Sequence, residues 1–525
     1  MSKVSRLKRL EEKIKAREQQ KSLEEMQQHH QHLVNEHLKS PGHKKPTTRR
    51  EFLEAGVISL AGYVLGPSIF SILSTLSPEA IAQALPTCPS PAVGSGTGPA
   101  PFINFHLEGG FQTLAIATPR GYTSGERISN YSRLGLGQAP TFATNAFPNS
   151  IIDMPNRGAG SNSGFYQGIM SVASAATRSN TSWVTVTYRD NGDSGDPQFS
   201  MLGQVASLGR IGSKTGFLRG DGGDGPTGIS GKAAFNILSS PTPVRISNTI
   251  SFQNSIQAVG ALAQLSQDQQ LKVARTIQSL NLEQAASIAG VNGGQKLNDL
   301  IYCATDQNIN KLQGGGADIN PRTAFNGQLA QLFNNFANAN SPGSNDAFSM
   351  EAIATMVLNT VNGNSAGCAI NIGGFDIHNN ANRVLQEAAM FQFGRVVGAS
   401  LETARLAGSK VFIHISTNGS NNNQGGTADS AFDSDTSDYS GAHFLMYDPA
   451  GPVPVSGTQI GGLIESGNSL GKVNTETPIG SQVEDGVAAV YLNYVAFSGL
   501  QEIDFDRTIG KNFSSSQKAY MRKKV

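Results

Sequence analysis

Cysteine is almost missing from this chain: Cys88, Cys303 and Cys368 are the three among 525 residues. At most one disulfide can form, so stability has to come from a buried core rather than from covalent staples. Tryptophan is rarer still, a single residue, which removes the stacking platform a polysaccharide or peptidoglycan binder would use. Neither sign of charge dominates. Lys and Arg number 40 against 39 Asp and Glu, which gives no electrostatic footprint for a nucleic-acid partner. A long unbroken apolar run is also lacking. The mildly apolar stretch from Ala55 to Leu76 is interrupted by Gly56, Gly62, Gly66, Pro67 and several serines, so it makes a poor permanent membrane anchor.

What stands in that region is a targeting device. Thr47-Thr48 leads into the pair Arg49-Arg50, then Glu51, Phe52 and Leu53, the apolar stretch, and Ala82-Gln83-Ala84, where a signal peptidase can cut. This order reads as a twin-arginine secretion signal over 47–84, with Ala82 and Ala84 flanking the cleavage site. Its partner is the twin-arginine translocation machinery, its contact with the membrane is transient, and the destination is the periplasm or beyond. Ahead of it lies a polar extension, 1–46, with helical spacing at Leu7, Leu10 and Ile14 and a histidine cluster at His29, His30 and His32. A linker, 85–101, follows. Cys88 closes a lipobox-like Leu85-Pro86-Thr87-Cys88, but Thr87 stands where a smaller residue is wanted, so cleavage after Ala84 is expected. Removal of 1–84 leaves 27 Lys and Arg against 30 Asp and Glu, a net charge of −3, in a chain long enough for a substantial core.

The mature region alternates strand and helix patterns. Phe102 to Leu107, Ser182 to Tyr188, Cys368 to Ile372, Val411 to Ser416 and Phe444 to Tyr447 carry the β-branched and aromatic residues of strands. Helical spacing runs from Ile256 to Leu312, then near Phe325–Ala339, Met350–Val361, Arg383–Ala407 and Val483–Phe497. The alternation predicts a three-layer α/β domain over 102–512, with a mostly parallel sheet, helices on both faces and a helical insertion at about 256–340. Residues 513–525 read as a flexible basic tail.

In such sheets ligands bind beyond the carboxyl ends of the strands. Three strands end in polar, glycine-containing turns: Gly109-Gly110-Phe111-Gln112-Thr113, Gly373-Gly374-Phe375-Asp376-Ile377-His378 and Ser416-Thr417-Asn418-Gly419. A fourth loop, Asp433 to His443, is the densest run of carboxylates in the chain. On one shared edge, Asp376, His378, Asp438 and His443 would converge on a divalent cation such as zinc, manganese or calcium. His106 and His414 fall inside strands and read as core residues. Gly363-Asn364-Ser365-Ala366-Gly367 fits the spacing of a nucleophile elbow, but it follows a helix and precedes a strand, the reverse of what an elbow needs.

These turns, behind a twin-arginine signal, resemble the secreted domain-of-unknown-function family numbered 1501, which looks like a branch of the alkaline phosphatase and sulfatase superfamily. The resemblance runs from about Pro101 to Leu500 and implies an alkaline-phosphatase-like fold that binds metals at the carboxyl edge of its sheet. The family's W-D-T-H turn is similar to Phe375-Asp376-Ile377-His378, and its G-W-L-G-R is echoed by Gly216-Phe217-Leu218-Arg219. Elsewhere ligands are replaced. G-G-N-D-G becomes Gly109 to Thr113 with Gln112 in the carboxylate's place, and S-H-F becomes Pro197-Gln198-Phe199. S-E-F-G-R becomes Ser416-Thr417-Asn418-Gly419-Ser420, and D-H-G becomes Asp438-Tyr439-Ser440-Gly441. An amide or phenol replaces little of a cation's hydration energy, so the substitutions favour an exported, non-catalytic binding or scaffold protein of the cell envelope with an envelope partner. The alternative is a metal-dependent phosphate or sulfate ester hydrolase with a remodelled site and Thr113 or Ser416 as nucleophile.

Overall fold

The computed structural model describes residues 99–107, 109–137, 141–143, 147, 153–156, 163–189, 201, 205, 215–220, 244–256, 265–286, 309, 319–336, 350–375, 381–417, 419–423, 431–432, 434–435, 437–500 and 511–524. The chain divides into two compact units, 1–64 and 65–525. The first unit and the secretion signal lie outside the described residues, as do Cys88 and Cys303.

The second unit is mixed α/β and is built on one eight-stranded sheet. Its strands are β1 (Phe102–Leu107), β2 (Thr181–Thr187), β3 (Thr215–Gly220), β4 (Val244–Arg245), β5 (Ser365–Ile372), β6 (Val411–Thr417), β7 (Gly441–Tyr447) and β8 (Gln459–Ile460). They lie in the order β8-β2-β7-β6-β1-β5-β3-β4. β1 pairs parallel with both β5 and β6, and β7 runs antiparallel to its two neighbours β6 and β2. The sheet is therefore mostly parallel. Its interior strands are near-continuous apolar runs because both faces are covered.

Period-two alternation sorts the side chains onto those faces. Ile103, Phe105, Ile413, Ile415 and Leu445 enter one core, with helices α1 (Gly164–Met170), α5 (Met350–Val361) and α6 (Arg383–Leu406). Phe102, Phe412, Phe444 and Met446 enter the other, against α7 (Val483–Phe497). Helices thus cover both faces, an arrangement compatible with a three-layer α/β fold. Other helices among the described residues include α2 (Ala175–Ser179), α3 (Thr249–Ile256), α4 (Gln267–Ala286) and α8 (Ser515–Met521).

Two α-helices meet unusually closely on the first face. A Cβ added to Gly394 or Gly398 of α6 would collide with the carbonyls of Phe165 or Ile169 in α1, and one added to Gly164 or Gly168 would strike Glu387 and Phe391 carbonyls of α6. Glycines four apart on both helices let the backbones touch, and Phe393 then meets Phe105 edge-on at 5.5 Å and Phe165 at a tilt at 5.3 Å.

Two sequence expectations change. The helix expected near Phe325–Ala339 survives only as the five-residue α-helix Gln328–Leu332 between two 3₁₀ turns, with left-handed backbone at Phe325, Asn326, Asn334 and Asn335. Asparagine tolerates that conformation and competes for backbone hydrogen bonds, so it interrupts the pattern. The segment from 513 onward, expected as a flexible tail, carries the capped helix α8. Phe513 and Met521 bury in the second core, and Asn493 of α7 binds Met521 O, Lys523 N and Lys524 N at 2.7–2.9 Å. Two buried apolar residues among the basic ones suffice once a partner groove exists. Of the helical insertion, α4 and short pieces after 319 are described, and 287–308 lies outside the described residues.

Candidate functional site

The carboxyl ends of β1, β2, β5 and β6 share one edge with the start of antiparallel β7. The turn after β1 reverses through Gly109 and Gly110, both at positive φ (103° and 68°), which glycine adopts without steric cost. It delivers Phe111, Gln112 and Thr113 onto the edge. The turns after β5 and β6 reach the same place. Phe111 packs edge-on to Phe375 at 4.8 Å, Gln112 Nε2 donates to Asn421 O at 2.7 Å, Asn421 Nδ2 donates to Phe375 O at 3.1 Å, and the Asn421 amide meets Gly110 O. The turn after β1 is thus joined by direct bonds to two turns that lie more than 250 residues further along the chain.

The expected nucleophiles sit at this edge, and both are engaged. Thr113 Oγ1 donates to Gly441 O at 2.7 Å. Ser416 Oγ lies 3.3 Å from His106 Nδ1, in a row where Ser416, His106 and Asn371 are register partners across three strands. Two residues earlier on the same pair of strands, Asn104 Oδ1 meets His414 Nδ1 at 2.7 Å. All of these side chains are buried.

Among the expected metal ligands, His443 stands inside β7, completely buried. Its Nε2 donates to Thr113 O at 2.7 Å, because a carbonyl only accepts, and Nδ1 then takes the Thr185 hydroxyl at 3.1 Å. Both ring nitrogens are committed. Burial lowers the pKa of His443 to about 4, even though the bond to Thr113 raises it. Asp438 lies on the 3₁₀ turn Ser437–Tyr439 and forms ion pairs with Arg189 (2.9 Å) and Lys472 (2.8 Å). Asp376 and His378 lie outside the described residues, as does the Pro197-Gln198-Phe199 segment. Of the four, the described pair, Asp438 and His443, therefore serve an ion-pair network and a hydrogen-bond pair. Among the described residues no group of three or more His, Cys, Asp or Glu is arranged to hold a metal ion.

Sequence reading missed the polar side chains that the edge gathers. Gln112 Oε1, Asn421 Oδ1 and Ser440 Oγ are buried and have no hydrogen-bond partner. Their only trace in the sequence is polarity at positions flanking apolar strands. Leu114 and Tyr439, close in sequence to Gln112 and Ser440, belong to a small separate apolar cluster with Tyr131, Leu134, Leu463 and Val473. Burial raises the pKa of the Tyr439 phenol, so it stays protonated and is no substitute for an anionic ligand. No helix among the described residues is long and apolar enough to cross a membrane. In comparisons with known proteins, no family model, no curated protein and no solved structure matches this chain.

Proposed function

We propose that this chain is an exported protein of the cell envelope, with an alkaline-phosphatase-like fold, that acts by binding rather than by metal-dependent ester hydrolysis. The observation that carries the reading is the state of Gln112. Where the resemblance calls for a metal-binding carboxylate, a neutral amide is tied to the Asn421 carbonyl at 2.7 Å. The neighbouring carboxylate, Asp438, is neutralised by Arg189 and Lys472, and His443 has no free ring nitrogen. A two-metal mechanism stabilises the attacking and leaving oxygens with two ions, and anionic ligands must hold those ions in place. These residues do not fit that need. Export rests separately on Arg49-Arg50 and the cleavage site at Ala84.

The test is metal content together with turnover. Purified protein is expected to hold zinc or manganese well below one ion per chain and to turn over aryl phosphate and aryl sulfate esters at background rate. Restoring ligands with Gln112→Asp and Tyr439→His should raise metal occupancy. Two tightly bound ions in the unaltered protein, with hydrolysis abolished by Asp376→Ala, would overturn the binding reading in favour of a hydrolase.

A further inference from the structure

We propose that the groove between α7 and the chain around β8 is a peptide-binding site, closed by the strap 511–524 of the same chain and open to the identical strap of a second copy. The groove reads the main chain of the strap. Asn493 Oδ1 accepts from the amides of Lys523 and Lys524 at 2.7 and 2.9 Å, and its Nδ2 donates to Met521 O at 2.8 Å. One buried side-chain amide thus bonds the strap as a neighbouring peptide group would. A further bond from Nδ2 to Ala489 O at 2.7 Å fixes its orientation. From the chain ahead of β8, Ser456 N donates to Lys523 O at 2.7 Å, and Val455 and Lys524 form an antiparallel bridge. After β8, Gly461 N donates to Tyr520 Oη at 3.0 Å. Main-chain bonds of this kind supply affinity in peptide recognition, and side-chain anchors supply specificity. The anchors are Phe513 and Met521, the two buried residues of the strap, which enter the second core.

The contacts themselves choose the occupant. Each bond and each apolar anchor is matched by 511–524, and a second copy carries that segment unchanged. Exchange of an identical element between chains is a low-cost route to a dimer, because every contact made within one chain is remade between two. The pair of Lys511 with Asp485 at 2.6 Å is the same in either arrangement, so charge does not oppose exchange. Release is local. Ser514, Ser515, Ser516, Ala519 and Arg522 are exposed, whereas α7 beneath them is buried along most of its length. A segment held by two buried side chains opens at a lower free energy than the core it lies on. None of Gln112, Asp438 or His443 takes part, so strap exchange and the binding reading above stand or fail separately.

Fluorescence anisotropy of a labelled synthetic peptide with the sequence of 511–524, titrated with the full chain, tests this. In the unaltered chain the resident strap competes, and the fraction of open grooves sets the apparent affinity. Met521→Ala in the full chain weakens the resident strap by removing a buried side chain, so the peptide should bind that variant more tightly by about tenfold or more. Tyr520→Phe, which removes only the acceptor of Gly461 N, should shift affinity in the same direction and keeps the test decisive if Met521→Ala fails to fold. N-methylation of the peptide at Lys523 removes a donor to Asn493 and should weaken binding about tenfold, and a scrambled peptide should not bind. Sedimentation of the concentrated unaltered chain should show a dimer that excess peptide returns to monomer. No tighter uptake by the strap variants, equal binding of the scrambled or N-methylated peptide, a chain monomeric at every concentration, or a dimer indifferent to the peptide would each overturn the proposal.

Discussion

Three histidines on the adjacent strands β1, β6 and β7 are buried. Burial lowers His106 to about 4, burial and the neighbouring His106 and His443 lower His414 to about 3, and His443 falls to about 4. Each is therefore neutral in the folded protein at ordinary pH and protonates near 6.5 once unfolded. A folded pKa below the unfolded one stabilises the fold above pH 6.5, and that stability is lost as pH falls from 6.5 toward about 4, because the unfolded state binds up to three more protons. Urea unfolding measured across that window should show the midpoint falling steeply with acidification. His443→Gln, which keeps a donor for Thr113, should flatten the slope. A midpoint independent of pH from 6.5 to 4.5 would contradict the burial of these rings as neutral groups. None of this was visible from residue type: the same three histidines read as two core residues and one candidate ligand, and only their strand partners separate those roles.

Helix packing sets a different limit. The crossing of α1 and α6 depends on four glycines because backbone carbonyls, and not flexible side-chain ends, occupy the space where a methyl group would go. Gly394→Ala should cost about 1 to 3 kcal/mol in urea unfolding, the range for overpacking a well-filled contact. Gly457→Ala, where the nearest heavy atom is Lys523 Cδ at 3.8 Å, should change stability by less than about 0.5 kcal/mol. Equal effects at the two positions would mean that the helices are not in backbone contact. The helices themselves were plain in the pattern. Met350–Val361 and Val483–Phe497 occur with the expected bounds, since a 3.6-residue period is a local property. The closeness of α1 to α6 was not, because a glycine in a helical stretch looks the same whether it is exposed or touching another backbone.

For the molecule as a whole, the proposed first event is export. Replacing Arg49 and Arg50 together with Lys should hold the precursor in the cytoplasm, because lysine does not reproduce the planar guanidinium that the receptor reads. Fractionation with detection of the mature protein decides, and its normal arrival in the envelope would refute the twin-arginine route. Past the signal, the folded unit fixes its C-terminus with the same economy: Asp485 caps α7 through Gly480, Ser481 and Gln482 and also pairs with Lys511 at 2.6 Å, so the segment leading into α8 is anchored at the point where α7 begins.

By itself the sequence determined the central strands from Phe102–Leu107 to Phe444–Tyr447 and the long helices Met350–Val361 and Val483–Phe497, because periodicity, capping and glycine placement act within a few residues. It also placed Gly363 to Gly367 after a helix and before a strand, as observed. The tertiary structure decided the rest. The order β8-β2-β7-β6-β1-β5-β3-β4, the reversed direction of β7, the docking of α8 and the commitments of Asp438 and His443 all depend on residues far apart in the chain. Pairing energies across such distances arise from burial and register, and a carboxylate or imidazole carries no mark of which partner it will meet until the strands are brought together.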